Sequence, residues 1–187
     1  MNKRVSFALG VALSSTLQLI ALHAAPEAAP SKATANPILY PICPSPAALC
    51  NRPFKTFEPY ELSFQLPKQI KPNITYRSTR FYGVLLKTWP LTQTDECDGG
   101  EYSTRVENER KRVHALLPRH KVFASQQCPD MAAVSYLIDG KFNNSRFLAV
   151  YGGTTQAEAR RMRAALLKRY PRAAVKPMQV AWEQIMQ

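Results

Sequence analysis

Ser145-Arg146-Phe147-Leu148-Ala149-Val150-Tyr151-Gly152-Gly153-Thr154-Thr155-Gln156-Ala157-Glu158-Ala159 reads as an apolar strand, a glycine turn and the start of a helix. Its first six residues repeat the pattern of Thr79-Arg80-Phe81-Tyr82-Gly83-Val84. Downstream, Thr104, Glu107, Arg110, Arg112 and Leu116 recur at the same spacing as Thr155, Glu158, Arg161, Arg163 and Leu167. Pro118-Arg119, three residues before Val122, then recurs as Pro171-Arg172 before Val175. Three matched blocks in one order define an internal repeat whose unit is strand, helix, strand.

Each helix is expected to open at its Thr, with the Glu three residues later closing a capping box that satisfies orphan N–H groups. Each is expected to stop as Pro118 or Pro171 approaches. In the second helix Ala159, Met162, Leu166 and Tyr170 form the stripe predicted to face the core, which leaves Arg160, Arg161, Lys168 and Arg169 in water. Two such units over residues 79–187 predict an α+β fold, a ferredoxin-like βαββαβ sandwich with two helices on one face of an antiparallel sheet. Two insertions break the symmetry. The loop Pro90–Ser103 holds Cys97, and Cys128–Asn144 holds Val134-Ser135-Tyr136-Leu137-Ile138, which adds a strand or extends the preceding one.

Upstream, residues 25–78 hold ten of the fifteen prolines and no glycine. Each proline blocks a helix and biases its predecessor to extended geometry, so the segment is predicted to be an ordered Pro-rich arm. Tyr40, Phe54, Phe57, Tyr60, Phe64 and Tyr76 lie between the prolines and need something to pack on. Tyr60-Glu61-Leu62-Ser63-Phe64-Gln65-Leu66 alternates like a single edge strand.

Met1–Arg4 is a short basic start, Val5–Leu22 an interrupted apolar run, and Ala24-Ala25-Pro26 follows. This is the layout of a secretory signal peptide over residues 1–24, with an uncleaved anchor as the alternative. The interrupted run is a poor membrane span, so none is expected once the segment is removed. The chain of 187 residues carries 25 Lys plus Arg against 13 Asp plus Glu. Loss of Lys3 and Arg4 lowers the formal charge from +12 to +10. Such a charge suits phosphate binding, but export to the periplasm or beyond removes the chain from most nucleic acid. Anionic wall polymers, glycans, lipid head groups and envelope proteins become the candidate partners.

Four cysteines, at 43, 50, 97 and 128, read in an exported chain as two disulfides. Cys43 with Cys50 closes a short Pro-containing loop, which leaves Cys97 for Cys128. No Cys-x-x-Cys and no nearby His supports a metal site instead.

Strand alternation sends Val84, Leu86, Leu148 and Val150 under the helices. The other face then receives Phe81, Leu85, Lys87 and Trp89 from the first strand, and Phe147 and Tyr151 from the third. Aromatic rings separated by Gly83 and Ala149, beside Lys and Arg, form a platform on which a sugar ring or a base can stack. The arm or the 128–144 insertion can equally lie across this face and make it a second core.

From Phe147 to Lys176, with its Tyr-Gly-Gly turn and its Ala157-Glu158-Ala159 step at the helix start, the sequence resembles the sporulation-related repeat (SPOR) family. The likeness covers about 100 residues. The family has Gln where this chain has Leu85, and a Gly-Pro-Phe-like turn in place of Tyr151-Gly152-Gly153. The resemblance implies noncatalytic binding to peptidoglycan glycan strands, often strands lacking stem peptides. No catalytic constellation is legible, because His114 and His120 have no marked nucleophile or acidic partner, and no cofactor is implied. The acids Asp95, Glu96 and Asp98 lack the spacing of a calcium loop. An adaptor of an envelope or secretion assembly, binding protein through the arm, is the competing reading.

Overall fold

The structure, a computed structural model, describes residues 38–89, 101–125 and 134–184, with the side chains of the first helix described from Arg105 onward. The strands are β1 (Leu39–Tyr40), β2 (Thr75–Ser78), β3 (Phe81–Trp89), β4 (Val122–Ala124), β5 (Ser135–Ile138), β6 (Lys141–Phe142), β7 (Arg146–Gly153) and β8 (Ala174–Glu183). The helices are α1 (Glu101–Leu116) and α2 (Gln156–Leu166).

Apolar, β-branched and aromatic residues concentrate in β3 and β7, and these two strands pair antiparallel at the centre of the sheet. β8 flanks β3 and β4 flanks β7, both antiparallel. β2 and β3 run one after the other along β8, and the pairing slips by one residue between Arg77↔Ala181 and Phe81↔Met178. Ser78 covers the slip: its Oγ accepts the Val180 N–H at 2.9 Å, and its carbonyl accepts the Gln179 side-chain amide at 2.9 Å. β5 takes the opposite edge of β8, since Met178 pairs with Ile138 as well as with Phe81. The β5–β6 hairpin turns through Asp139 and Gly140, both with positive φ (52° and 80°), the backbone that an Asp-Gly pair favours.

This overturns the expected fold. A ferredoxin-like sandwich has one antiparallel sheet with helices on one side. The chain instead builds a mixed sheet of eight strands, curled into a half-barrel, with β1 parallel to β2 and only two helices among the described residues. The 134–138 run adds a strand as expected, but it pairs with β8, and strands from the Pro-rich segment join the same sheet, which the repeat does not foretell.

Each face has its own core. Under the helices lie Val84, Leu86, Val106, Val113, Leu148, Val150, Ala159, Leu166 and Tyr170. Against the other face pack Phe57, Leu62, Phe64 and Leu66 from the Pro-rich segment, on Phe81, Phe123, Tyr136, Phe147, Ala149, Met178 and Trp182. Burying four such side chains contributes roughly 1.5–3 kcal/mol each before entropy, which is why this Pro-rich stretch is held down. All described residues fall in one compact unit, Ala35–Gln187.

Polar ties hold the same layer. The Ala124 N–H donates to the Tyr60 carbonyl at 2.9 Å, the Leu62 N–H to the Tyr136 hydroxyl at 3.0 Å, and the Lys121 Nζ to the Pro59 carbonyl at 2.8 Å. Buried Glu61 receives Lys55 Nζ at 2.8 Å, the Glu58 N–H at 2.9 Å and the Val134 N–H at 3.1 Å. Cys43 and Cys50 form a disulfide, the pairing that their spacing suggests and one that fits an oxidising compartment.

Of three local expectations, one is met and two change. The capping box is present at α2, where Thr155 and Glu158 bond reciprocally. At α1 the helix begins at Glu101, so Thr104 is an interior residue and the Glu107 carboxylate bonds Arg110 instead. Tyr60–Leu66 is not a strand: it makes one isolated bridge, Phe64 with Ile42, and most of its side chains are buried.

Candidate binding groove

The six platform residues separate into two groups. Phe81 and Phe147 have no exposed surface and Leu85 is buried, all in the core beneath the Pro-rich segment. Tyr151 is half-buried beside them, its ring centroid 5.6 Å from that of Phe81, and burial pushes its hydroxyl pKa up. The open stacking surface expected at Phe81 and Phe147 is therefore covered. The aromatics of residues 54–66 needed a surface to bury against, and this one is flat and apolar.

Lys87 and Trp89 go elsewhere, because β3 carries a bulge. Leu85 pairs with Ala149 but Lys87 pairs with Leu148, so Leu86 is an extra residue. An extra residue reverses which face the following side chains take. Lys87 now lies opposite Leu148 and Trp89 packs against the helix-side core. Simple alternation from Phe81 cannot foresee this.

Beyond the bulge β3 has a free side. Pairing with β8 ends at Leu85↔Ala174, while β3 continues to Trp89 paired only with β7 among the described residues. The space left is a groove of about 440 Å³ lined by Lys87, Thr88, Trp89, Arg172, Ala174 and Lys176. Three basic side chains and an indole thus surround a strand edge.

Its electrostatics are only partly compensated. Lys87 Nζ donates to Glu109 Oε1 at 2.8 Å and sits 6.0 Å from the centre of the Tyr170 ring. Glu109 also accepts from the Tyr170 hydroxyl at 3.0 Å and from Arg112 at 2.9 Å. Burial alone would raise the Glu109 pKa, but hydrogen bonds from Lys87 and Tyr170 and the charges of Lys87 and Arg112 hold it below the ordinary carboxylate value. Lys176 pairs with Asp139 at 2.7 Å. Arg172 is exposed and has no acidic partner among the described residues. The groove can hold an anionic, partly apolar ligand, with Trp89 as a wall and Arg172 as the available cation.

Arg172 and Lys176 are absent from the sequence-derived platform. The signal for them lay in the repeat, whose Pro171-Arg172 turn leads into β8. Residues 1–24, Cys97 and Cys128 lie outside the described residues, and with them the expected signal peptide and second disulfide. Among the described residues, no group of His, Cys, Asp or Glu could hold a metal ion, and no helix is long and apolar enough to cross a membrane.

No family model matches this chain, and no curated protein or solved structure matches it significantly.

Proposed function

We propose that this protein is an exported, noncatalytic peptidoglycan-binding protein of the bacterial envelope, related to the SPOR family, that holds wall material in the groove beside β3. The observation that carries the reading is the groove itself, where Trp89 stands among Lys87, Arg172 and Lys176 on a strand edge. An indole face suits a sugar ring, and the cations suit the carboxylates of wall polymer. The signal-peptide layout of residues 1–24 and the Cys43–Cys50 disulfide support a periplasmic or secreted location. The test is cosedimentation of the mature chain with purified sacculi. Pelleting that falls on Trp89→Ala supports the reading, and pelleting no greater than with lysozyme-digested sacculi refutes it.

One observation favours the adaptor reading. Ile38, Leu39 and Ile74, near the β1–β2 edge, and Phe142 on β6 are large apolar side chains left exposed, with Arg77 lying 5.6 Å from the Phe142 ring centre. Crosslinking in intact cells to one envelope protein, lost on Leu39→Ser and kept on Trp89→Ala, would favour it over the wall reading.

A further inference from the structure

Ile38, Leu39, Ile74 and Phe142 are large apolar side chains between 46% and 73% exposed. Tyr76 and Trp182 turn into the core beneath the Pro-rich segment, so Arg77, one residue on, faces the other side of the sheet. Leu39 lies opposite Arg77 in the β1–β2 register, and Arg77 lies over the Phe142 ring, 5.6 Å from its centre. Leu39, Arg77 and Phe142 thus run in one line from β1 to β6. Among the described residues the helix-side core takes in Val175 of β8 and no later residue of that strand, so the line stands beyond the helix layer.

The cations of this patch are open. Arg77 and Lys141 have no acidic partner among the described residues. The acids of the same elements are engaged: Glu183 accepts from the Thr75 hydroxyl at 2.9 Å, and Asp139 pairs with Lys176 at 2.7 Å. A protein interface gathers its apolar anchors in a centre depleted of charge. Here Arg77 stands between Leu39 and Phe142, and Lys141 precedes Phe142 on β6. Apolar tips interleaved with unpaired cations match the boundary of an anionic bilayer, where the tips enter the acyl edge and the cations meet phosphates. We infer that this patch docks the protein on an anionic phospholipid surface, with Leu39 and Phe142 entering below the head groups and Arg77 and Lys141 on lipid phosphates. Ala174 lines the groove, and Ala181, the partner of Arg77, lies about 23 Å further along β8 at strand rise. The two surfaces are separate, so the docking does not depend on what the groove holds, and a chain with wall in the groove can rest on a membrane at the same time.

The experiment is flotation of the full mature chain with vesicles of phosphatidylcholine alone and of phosphatidylcholine mixed with phosphatidylglycerol. Binding to the mixed vesicles only is expected, weakening as salt is added. Leu39→Ser and Phe142→Ser should each weaken it roughly tenfold and Arg77→Gln roughly fivefold, with melting unchanged. Phe142→Trp keeps an aromatic anchor, and its added fluorescence should shift to the blue on mixed vesicles and be quenched by brominated lipid beyond the parent's. Absence of binding, an unquenched Phe142→Trp, or equal binding by the parent and the double variant Leu39→Ser, Phe142→Ser overturns the inference, the last because net charge alone then holds the vesicle. A crosslink to one envelope protein, or a parent dimer in sedimentation, that Leu39→Ser abolishes while vesicle binding stays gives the patch to a protein and also overturns it. Pelleting with sacculi is read separately, and its failure overturns the wall-binding reading and not this one.

Discussion

Lys121 is 3% exposed, and among the described residues its ammonium reaches one hydrogen-bond acceptor, the Pro59 carbonyl at 2.8 Å. Burial, with Arg110 nearby, pulls its pKa from 10.5 down to about 8, against the opposing pull of Glu61 and Glu107. Below pH 8 the lysine is charged in both the folded and unfolded chain, and the full desolvation penalty acts. Between pH 8 and 10.5 the unfolded chain binds more protons than the folded one, so stability rises with pH across that window. At about 1.4 kcal/mol per pKa unit the gain is at most about 3 kcal/mol, reduced to about 2 kcal/mol by solvent screening. Lys121→Met keeps the stem and removes the charge. Pro59 is exposed, so its carbonyl can turn to water. The variant should be more stable than the parent by about 1–2 kcal/mol at pH 7, and that advantage should vanish by pH 10. Urea unfolding of both proteins at pH 7, 8, 9 and 10 reads this directly. Parallel stability curves for the two proteins would refute a buried, depressed Lys121.

The same layer gives an alkaline limit. Burial and the neighbouring Glu61 push the Tyr60 hydroxyl up to about 12, so from pH 10 to 12 the unfolded chain loses its proton first and stability falls, a slope that Tyr60→Phe should lessen but not abolish in urea curves, since burial raises the hydroxyls of Tyr136, Tyr151 and Tyr170 too. Glu61→Gln leaves Lys55 charged and buried without its carboxylate, and should cost about 3–5 kcal/mol in urea unfolding at pH 7. At Gly152 an added Cβ would lie 2.7 Å from the Ala159 Cβ and 2.9 Å from the Tyr82 carbonyl oxygen, so Gly152→Ala should push α2 off β7 and cost about 1–3 kcal/mol, visible as a lower melting temperature. Replacing Cys43 and Cys50 together by Ser should cost about 2 kcal/mol, measured against the reduced parent as a control.

Much of the local structure can be read from the residues themselves. The capping box at Thr155 and Glu158 and the core stripe of Ala159, Leu166 and Tyr170 follow from periodicity and the internal repeat. Asp139-Gly140 is a hairpin signal that short-range reading also supports, because both residues tolerate positive φ. Thr104 shows the limit: a capping sequence is local, and α1 starts a turn earlier regardless.

Composition, repeat and alternation by themselves determined which segments form the central strands and helices, because those signals depend on neighbours a few residues away. The partners of each face were decided only in three dimensions. Phe81 and Phe147 have the same pattern whether they meet a ligand or Phe57 and Phe64, and the choice depends on where a segment tens of residues upstream can bury its rings. The direction of Lys87 and Trp89 turned on one extra residue at Leu86, which pairing with β7 fixes and periodicity does not record. Tertiary pairing therefore moved the candidate site from the face of the sheet to its edge.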